Sequence, residues 1–136
     1  MRVPASGGPV VSVAPLVVRS AGVPDQWLVT WRLANQGDRP LAVLAAWKPH
    51  GRFRAPERAF DPPLRLAPGE SLTLDLAVTG GGEPGEVVEN AFLILRVRWG
   101  EAPWRVLARL TLTYGADRVP AIECAALTTQ PIGFSE

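Results

Sequence analysis

The chain has one cysteine, one histidine and a single lysine, and these scarcities close off whole classes of chemistry. With Cys124 alone, no disulfide can form within the chain. Structural zinc takes four Cys or His ligands, and the sequence offers one of each. It also has no closely spaced acids of the kind a calcium loop uses, so no metal is expected. A Ser–His–Asp triad would need His50, in Lys48-Pro49-His50-Gly51, as its base, and no serine sits in a Gly-x-Ser-x-Gly elbow. Cys124 lies in an alanine-rich segment without the positive charge that activates a thiolate, and reads as a buried, inert thiol. Glu83, Glu86 and Glu89 surround a glycine-rich loop and read as a solvated rim rather than a glycosidase pair. Gly80-Gly81-Gly82-Glu83-Pro84-Gly85 lacks the Gly-Lys-Ser/Thr ending of a phosphate loop. No nucleophile, base and metal can be assembled, so the expectation is a non-catalytic protein with no cofactor.

Strong charge of either sign is also missing. Fourteen basic and 13 acidic residues leave a net +1, too little to steer nucleic acid or anionic lipid. Because Lys48 is the only lysine, 13 of the 14 basic residues are arginine. No run approaches the roughly 18 apolar residues of a membrane span. The first 18 residues carry one arginine and an apolar stretch broken by Pro15, without the pattern of a secretory signal. A soluble, cytoplasmic protein is expected, with no membrane partner.

What is present is a hydrophobic content of 47% in 136 residues, enough for one domain, 1–136, with a real core. Fourteen prolines and 13 glycines punctuate runs of strand length, and no window of helical length carries an uninterrupted 3.6-residue stripe. Residues 10–19 form a strand that Pro15 confines to an edge or to a switch between sheets. Residues 26–34 alternate, with Trp27, Val29, Trp31 and Leu33 on one face. Asn35-Gln36-Gly37-Asp38 makes a turn into an uncharged strand, 41–47, both of whose faces should be covered. The proline-rich segment 48–68 is expected to be irregular, with short strand pieces at 52–54 and 64–66. Residues 70–79 alternate again, with Leu72, Leu74, Leu76 and Val78 inward. A closing hairpin puts Ala91, Leu93, Leu95, Val97 and Trp99 opposite Trp104, Val106, Ala108, Leu110, Leu112 and Tyr114 on an inward face. Residues 1–9 are read as flexible, and 116–136 as a tail that packs on the sandwich or adds a strand.

The expected fold is therefore all-β: an immunoglobulin-like two-sheet antiparallel β-sandwich of about seven to nine strands. Three features carry a resemblance over roughly residues 10–115: Asn35-x-Gly37-Asp38 leading into a Pro-Leu strand, Leu66-Ala67-Pro68-Gly69-Glu70-Ser71 opening the next, and the closing hairpin. The pattern resembles the broad class of bacterial immunoglobulin-like modules, which includes surface repeats and the small intracellular proteinase-inhibitor domains of bacilli. The paired cysteines of antibody domains are missing, and no family residue role carries over.

Two features point to a surface that binds. Of the five tryptophans, Trp27, Trp31, Trp99 and Trp104 fall on inward faces, and Trp47 is the one expected to be partly exposed. The outward face of the hairpin carries Phe92, Ile94, Arg96, Arg98, Arg105, Leu107 and Arg109. A four-residue turn at 100–103 would place Trp99 opposite Trp104, Arg98 opposite Arg105, Arg96 opposite Leu107 and Ile94 opposite Arg109. No acid occupies an outward position between Phe92 and Thr111 to answer these arginines. Arginine mixed with apolar groups suits a protein–protein interface. The leading expectation is thus an interaction module, a subunit or adaptor, that binds a protein partner or self-associates through these seven residues. A proteinase inhibitor using the 48–68 segment as a substrate-like loop, and a carbohydrate-binding module using an exposed tryptophan, are the alternatives; nucleic acid binding is not expected.

Overall fold

The computed structural model describes residues 8–132. Eight strands account for most of them: β1 (Val11–Ser20), β2 (Gln26–Asn35), β3 (Leu41–Lys48), β4 (Ala55–Leu66), β5 (Ser71–Thr79), β6 (Val87–Trp99), β7 (Ala102–Tyr114) and β8 (Pro120–Pro131). Two antiparallel sheets face each other, β1-β2-β5 and β4-β3-β6-β7-β8, making a β-sandwich of the all-β class. The arrangement is consistent with the broad immunoglobulin-like class. The sheets approach at both seams, β1 beside β8 and β4 beside β5. At the second seam Arg54 and Thr79 exchange backbone hydrogen bonds of 2.8 Å, and Arg58 Nη1 donates to the Asp75 carbonyl at 2.6 Å.

The core follows the alternation of single strands. Trp27, Val29, Trp31 and Leu33 of β2 are buried, as are the inward rows of β6 and β7 through Trp99 and Tyr114. Trp104 points the same way but is only half-buried, at the margin where Gly8 lies against its ring. Leu72 is likewise half-buried near the start of β5, while Leu74, Leu76 and Val78 are buried. Pro15 sits on edge strand β1 beside a register shift, as a residue without an N–H donor requires.

One expectation needs correction, and another is decided between its two alternatives. The segment 48–68 is not mainly irregular: twelve of its residues form β4, continuous but interrupted by register shifts. Pro56, Pro62 and Pro63 are tolerated because β4 is an edge strand, with β3 on one side only. The tail adds a full strand, β8, on the far edge of the larger sheet. The reading of 1–9 as flexible lies outside the described residues for 1–7, but Pro9 is buried and Gly8 packs on Trp104. Residues 133–136 of the tail also lie outside the described residues.

β3 carries the feature with the largest consequence. A register shift between Val43 and Ala45 moves its alternation by one residue. Leu41, Val43, Ala46 and Lys48 therefore face the core, while Ala42, Ala45 and Trp47 face outward. Without that bulge Lys48 would point to solvent.

The turn after β2 depends on close approach. Gly37 lies against the Trp99 ring, so closely that a Cβ there would overlap the ring edge. Trp99 is 4% exposed and cannot swing aside without disturbing the core. Gly37→Ala is expected to cost about 1–3 kcal/mol of unfolding free energy. Urea denaturation beside Gly51→Ala, where a Cβ meets nothing within 4 Å, checks this. Equal midpoints for the two variants would refute the overlap.

Candidate interaction face

Phe92, Ile94, Arg96, Arg98, Arg105, Leu107 and Arg109 lie together on the outer face of the five-stranded sheet. The reason is local: each alternates with a buried inward residue on β6 or β7. Phe92, Ile94 and Leu107 are half-buried, and Arg105 and Arg109 are exposed.

The register differs from the four-residue turn. Trp99 pairs with Ala102, so only Gly100 and Glu101 make the turn. Gly100 has φ of +60° and Glu101 does not have a positive φ, the pattern of a type II′ hairpin turn that matches the twist of its strands. Every pair slides by two residues: Arg98 meets Pro103, Arg96 meets Arg105, Ile94 meets Leu107 and Phe92 meets Arg109. A slide of two keeps each side chain on its face, so the face survives while its neighbours change.

The arginines are also not all unanswered. Arg96 Nη2 pairs with Glu57 Oε2 at 3.0 Å, and Arg109 Nη1 donates to Asn90 Oδ1 at 3.4 Å. Glu57 lies on β4, two strands from β6, and reaches Arg96 across β3, whose residue opposite Arg96 is the small Ala45. Both side chains of that pair are nearly half exposed, so it adds no more than about 1 kcal/mol. Arg98 and Arg105 make no ion pair among the described residues. β8 places Gln130 opposite Arg105 and Ala126 opposite Arg109, so it brings no acid to them.

Two further residues belong to this face. Trp47, half-buried, stands opposite Ile94, which stands opposite Leu107, so the three make an apolar row across β3, β6 and β7. Arg65 on β4 stands opposite Ala42, which stands opposite Arg98. Trp47 was expected to be partly exposed, but only the bulge at residues 43–45 turns it onto this face; Arg65 fell in the strand piece expected at 64–66, whose neighbours a single strand's pattern does not reveal.

The other end of the sandwich holds a charged cleft formed by the loops 21–25, 49–54, 80–86 and 115–119. Four of its five charged side chains pair: Arg52 with Glu86 at 2.5 Å and Arg118 with Glu83 at 3.1 Å, while Asp25 makes no ion pair among the described residues. The Arg52 hydrogen bond holds the Glu86 carboxyl down at about 2. The glutamates thus act as loop ties. His50 belongs to these ties as well, its Nδ1 accepting from the Arg52 backbone N–H at 3.1 Å.

Cys124 is half-buried, less enclosed than expected, because β8 is an edge strand. Burial still pushes its thiol pKa up, against activation. Among the described residues no three His, Cys, Asp or Glu side chains gather where a metal could sit, and no helix is long and apolar enough to cross a membrane.

Lys48 is the titratable group that sequence reading passed over. It is 0% exposed; its Nζ donates to the Phe92 carbonyl at 3.1 Å and stands 4.9 Å from the centre of the Phe53 ring. No carboxylate pairs with it among the described residues, and burial lowers its pKa from 10.5 to about 7. Its position inside the core, closed to solvent, lets it set how stability depends on pH rather than form part of a binding surface.

Against known proteins, no family model matches the chain, and a search of curated proteins finds no match either.

Proposed function

We propose that the protein is a non-catalytic interaction module that binds a protein partner through the outer face of its five-stranded sheet. The observation that carries this reading is Arg98 and Arg105, unpaired beside the half-exposed row of Trp47, Ile94 and Leu107. An isolated sheet face gains nothing from placing Arg96 directly opposite Arg105, since like charges across a strand pair are destabilising. A partner that answers the charge while covering the apolar row removes both costs. The turn motifs and the two-sheet arrangement support membership of the bacterial immunoglobulin-like class, in which such faces are free to differ. The inhibitor alternative loses one of its two supports, because most of its supposed loop is β4, and keeps only the likeness of fold.

Native mass spectrometry on protein gently purified from its own host tests the reading. A stoichiometric companion, lost on Arg98→Glu with Arg105→Glu while the circular dichroism spectrum is unchanged, is the expected result. Association that survives the double reversal removes this face from consideration.

A further inference from the structure

Along the outer face, chemistry changes in order. At the end nearest the Gly100–Glu101 turn, Arg65, Ala42 and Arg98 form one row across β4, β3 and β6. In the next row, Ala45 separates Arg96 from β4, where Glu57 neutralises it. Beyond that come Trp47, Ile94 and Leu107. Arg65 and Arg98 are the pair that nothing answers, and they flank a methyl group.

Two strand spacings separate their backbones by roughly 10 Å, which long arginine side chains can span from both sides. Both line a groove floored by Ala42, which is 6% exposed. Two acids border it. Glu70 is tied by Oε1 to the Ala67 backbone N–H at 2.8 Å, and Glu101 stands exposed on the hairpin turn. Neither forms an ion pair with Arg65 or Arg98. An anion over Ala42 would take guanidinium forks from both walls, the geometry that suits a planar carboxylate.

We propose that Arg65 and Arg98 form a carboxylate clamp over Ala42, and that it receives an acidic side chain of a partner protein whose apolar residues continue onto Trp47, Ile94 and Leu107. This rests on reading the face as an interface, and adds the partner's chemistry. Charge complementarity selects that occupant over a second copy. A two-fold contact would set this arginine set against its own image, with Glu57 already engaged by Arg96.

The test uses the full chain, isotope-labelled, with glutarate as the carboxylate probe and NMR of the arginine Nε–Hε groups and the Ala42 amide as readout. Saturating shifts at Arg65, Arg98 and Ala42 that share one dissociation constant are expected. Arg32, on the outer face of the other sheet, should show only a linear drift. Arg65→Gln and Arg98→Gln should each weaken glutarate by about tenfold, the loss of one charge-assisted pair. Linear, equal shifts at Arg32 and Arg98 overturn the clamp. So does tighter binding of inorganic phosphate or a thymidine oligonucleotide, which would point to a nucleic acid backbone instead. A dimer that Arg65→Glu with Arg98→Glu disperses would overturn the choice of a foreign partner. Loss of the clamp with a companion still displaced by the Arg98/Arg105 reversal leaves the interface standing; glutarate binding without such a companion removes the interface reading instead.

Discussion

Replacing Lys48 with methionine is expected to make the protein more stable below neutral pH by several kcal/mol and to flatten its dependence on pH above 7. The ammonium has one carbonyl and one aromatic ring for company, and no counter-ion among the described residues. Its pKa in the folded chain is about 7 against 10.5 when solvated. The unfolded chain therefore holds a proton that the folded chain has released throughout that window. By linkage, stability rises with pH from about 7 to about 10.5, by about 5 kcal/mol at most. Below about 7 both states are protonated, and the full penalty of a buried charge stands.

Methionine fills similar volume without that penalty, at the cost of the hydrogen bond to Phe92, about 1 kcal/mol. Urea unfolding of both proteins between pH 6 and 10 checks the prediction. Tyr114 and Cys124, both with raised pKa values, bend each profile in the opposite sense, since their ionised forms are favoured on unfolding. They do so equally in both proteins, so the difference between the curves reports Lys48. Parallel curves would mean that the ammonium is solvated in the folded state.

Asn35→Ala should destabilise the sandwich by about 3–4 kcal/mol, more than any of the surface changes above. The side chain is 0% exposed, and all its hydrogen bonds go to backbone. Nδ2 donates to the Arg39 carbonyl at 2.8 Å and to the Leu66 carbonyl at 3.0 Å, and Oδ1 accepts from Gly37 N–H at 3.0 Å. One amide thereby shapes the 36–40 turn and ties the end of β2, in the smaller sheet, to the end of β4, in the larger. Alanine leaves the Leu66 carbonyl unpaired where it is buried, and the Arg39 carbonyl and Gly37 N–H unpaired in the part-buried turn. Aspartate is no rescue: it keeps the acceptor for Gly37 but turns an anionic oxygen toward two carbonyls. Both variants should unfold at lower urea than the wild type, and a loss under about 1 kcal/mol for alanine would show the turn to be held by other means. Because Leu66 and Pro40 border the groove beside Arg65 and Arg98, Asn35→Ala should also blur the carboxylate response.

Both positions bear on what could be read in advance. Asn35 was visible as a turn residue, since the cluster Asn35-Gln36-Gly37-Asp38 is a local signal. Its reach to Leu66 was not, because that partner lies 31 residues away in the other sheet. Lys48 carried a partial clue in the uncharged strand before it. A regular alternation, however, sends it outward, and only the bulge at residues 43–45 turns it in. A bulge is a property of two paired strands, so one strand's pattern does not announce it.

The sequence alone decided the class of fold and which side chains share a face. Period-two alternation is a property of a single extended strand, and in β2, β6 and β7 it placed the buried tryptophans, leucines and valines, and with them the seven residues of the outer face. Tertiary structure decided everything that requires knowing a neighbour. It fixed the two-residue turn and hence which arginines oppose one another. It made a strand of the proline-rich segment by giving it an edge, where a missing donor costs nothing. It brought Glu57 to Arg96 and left Arg65 and Arg98 unanswered over Ala42. Burial and facing are set by each strand's own chemistry, whereas pairing and charge balance are set by whichever strand arrives alongside.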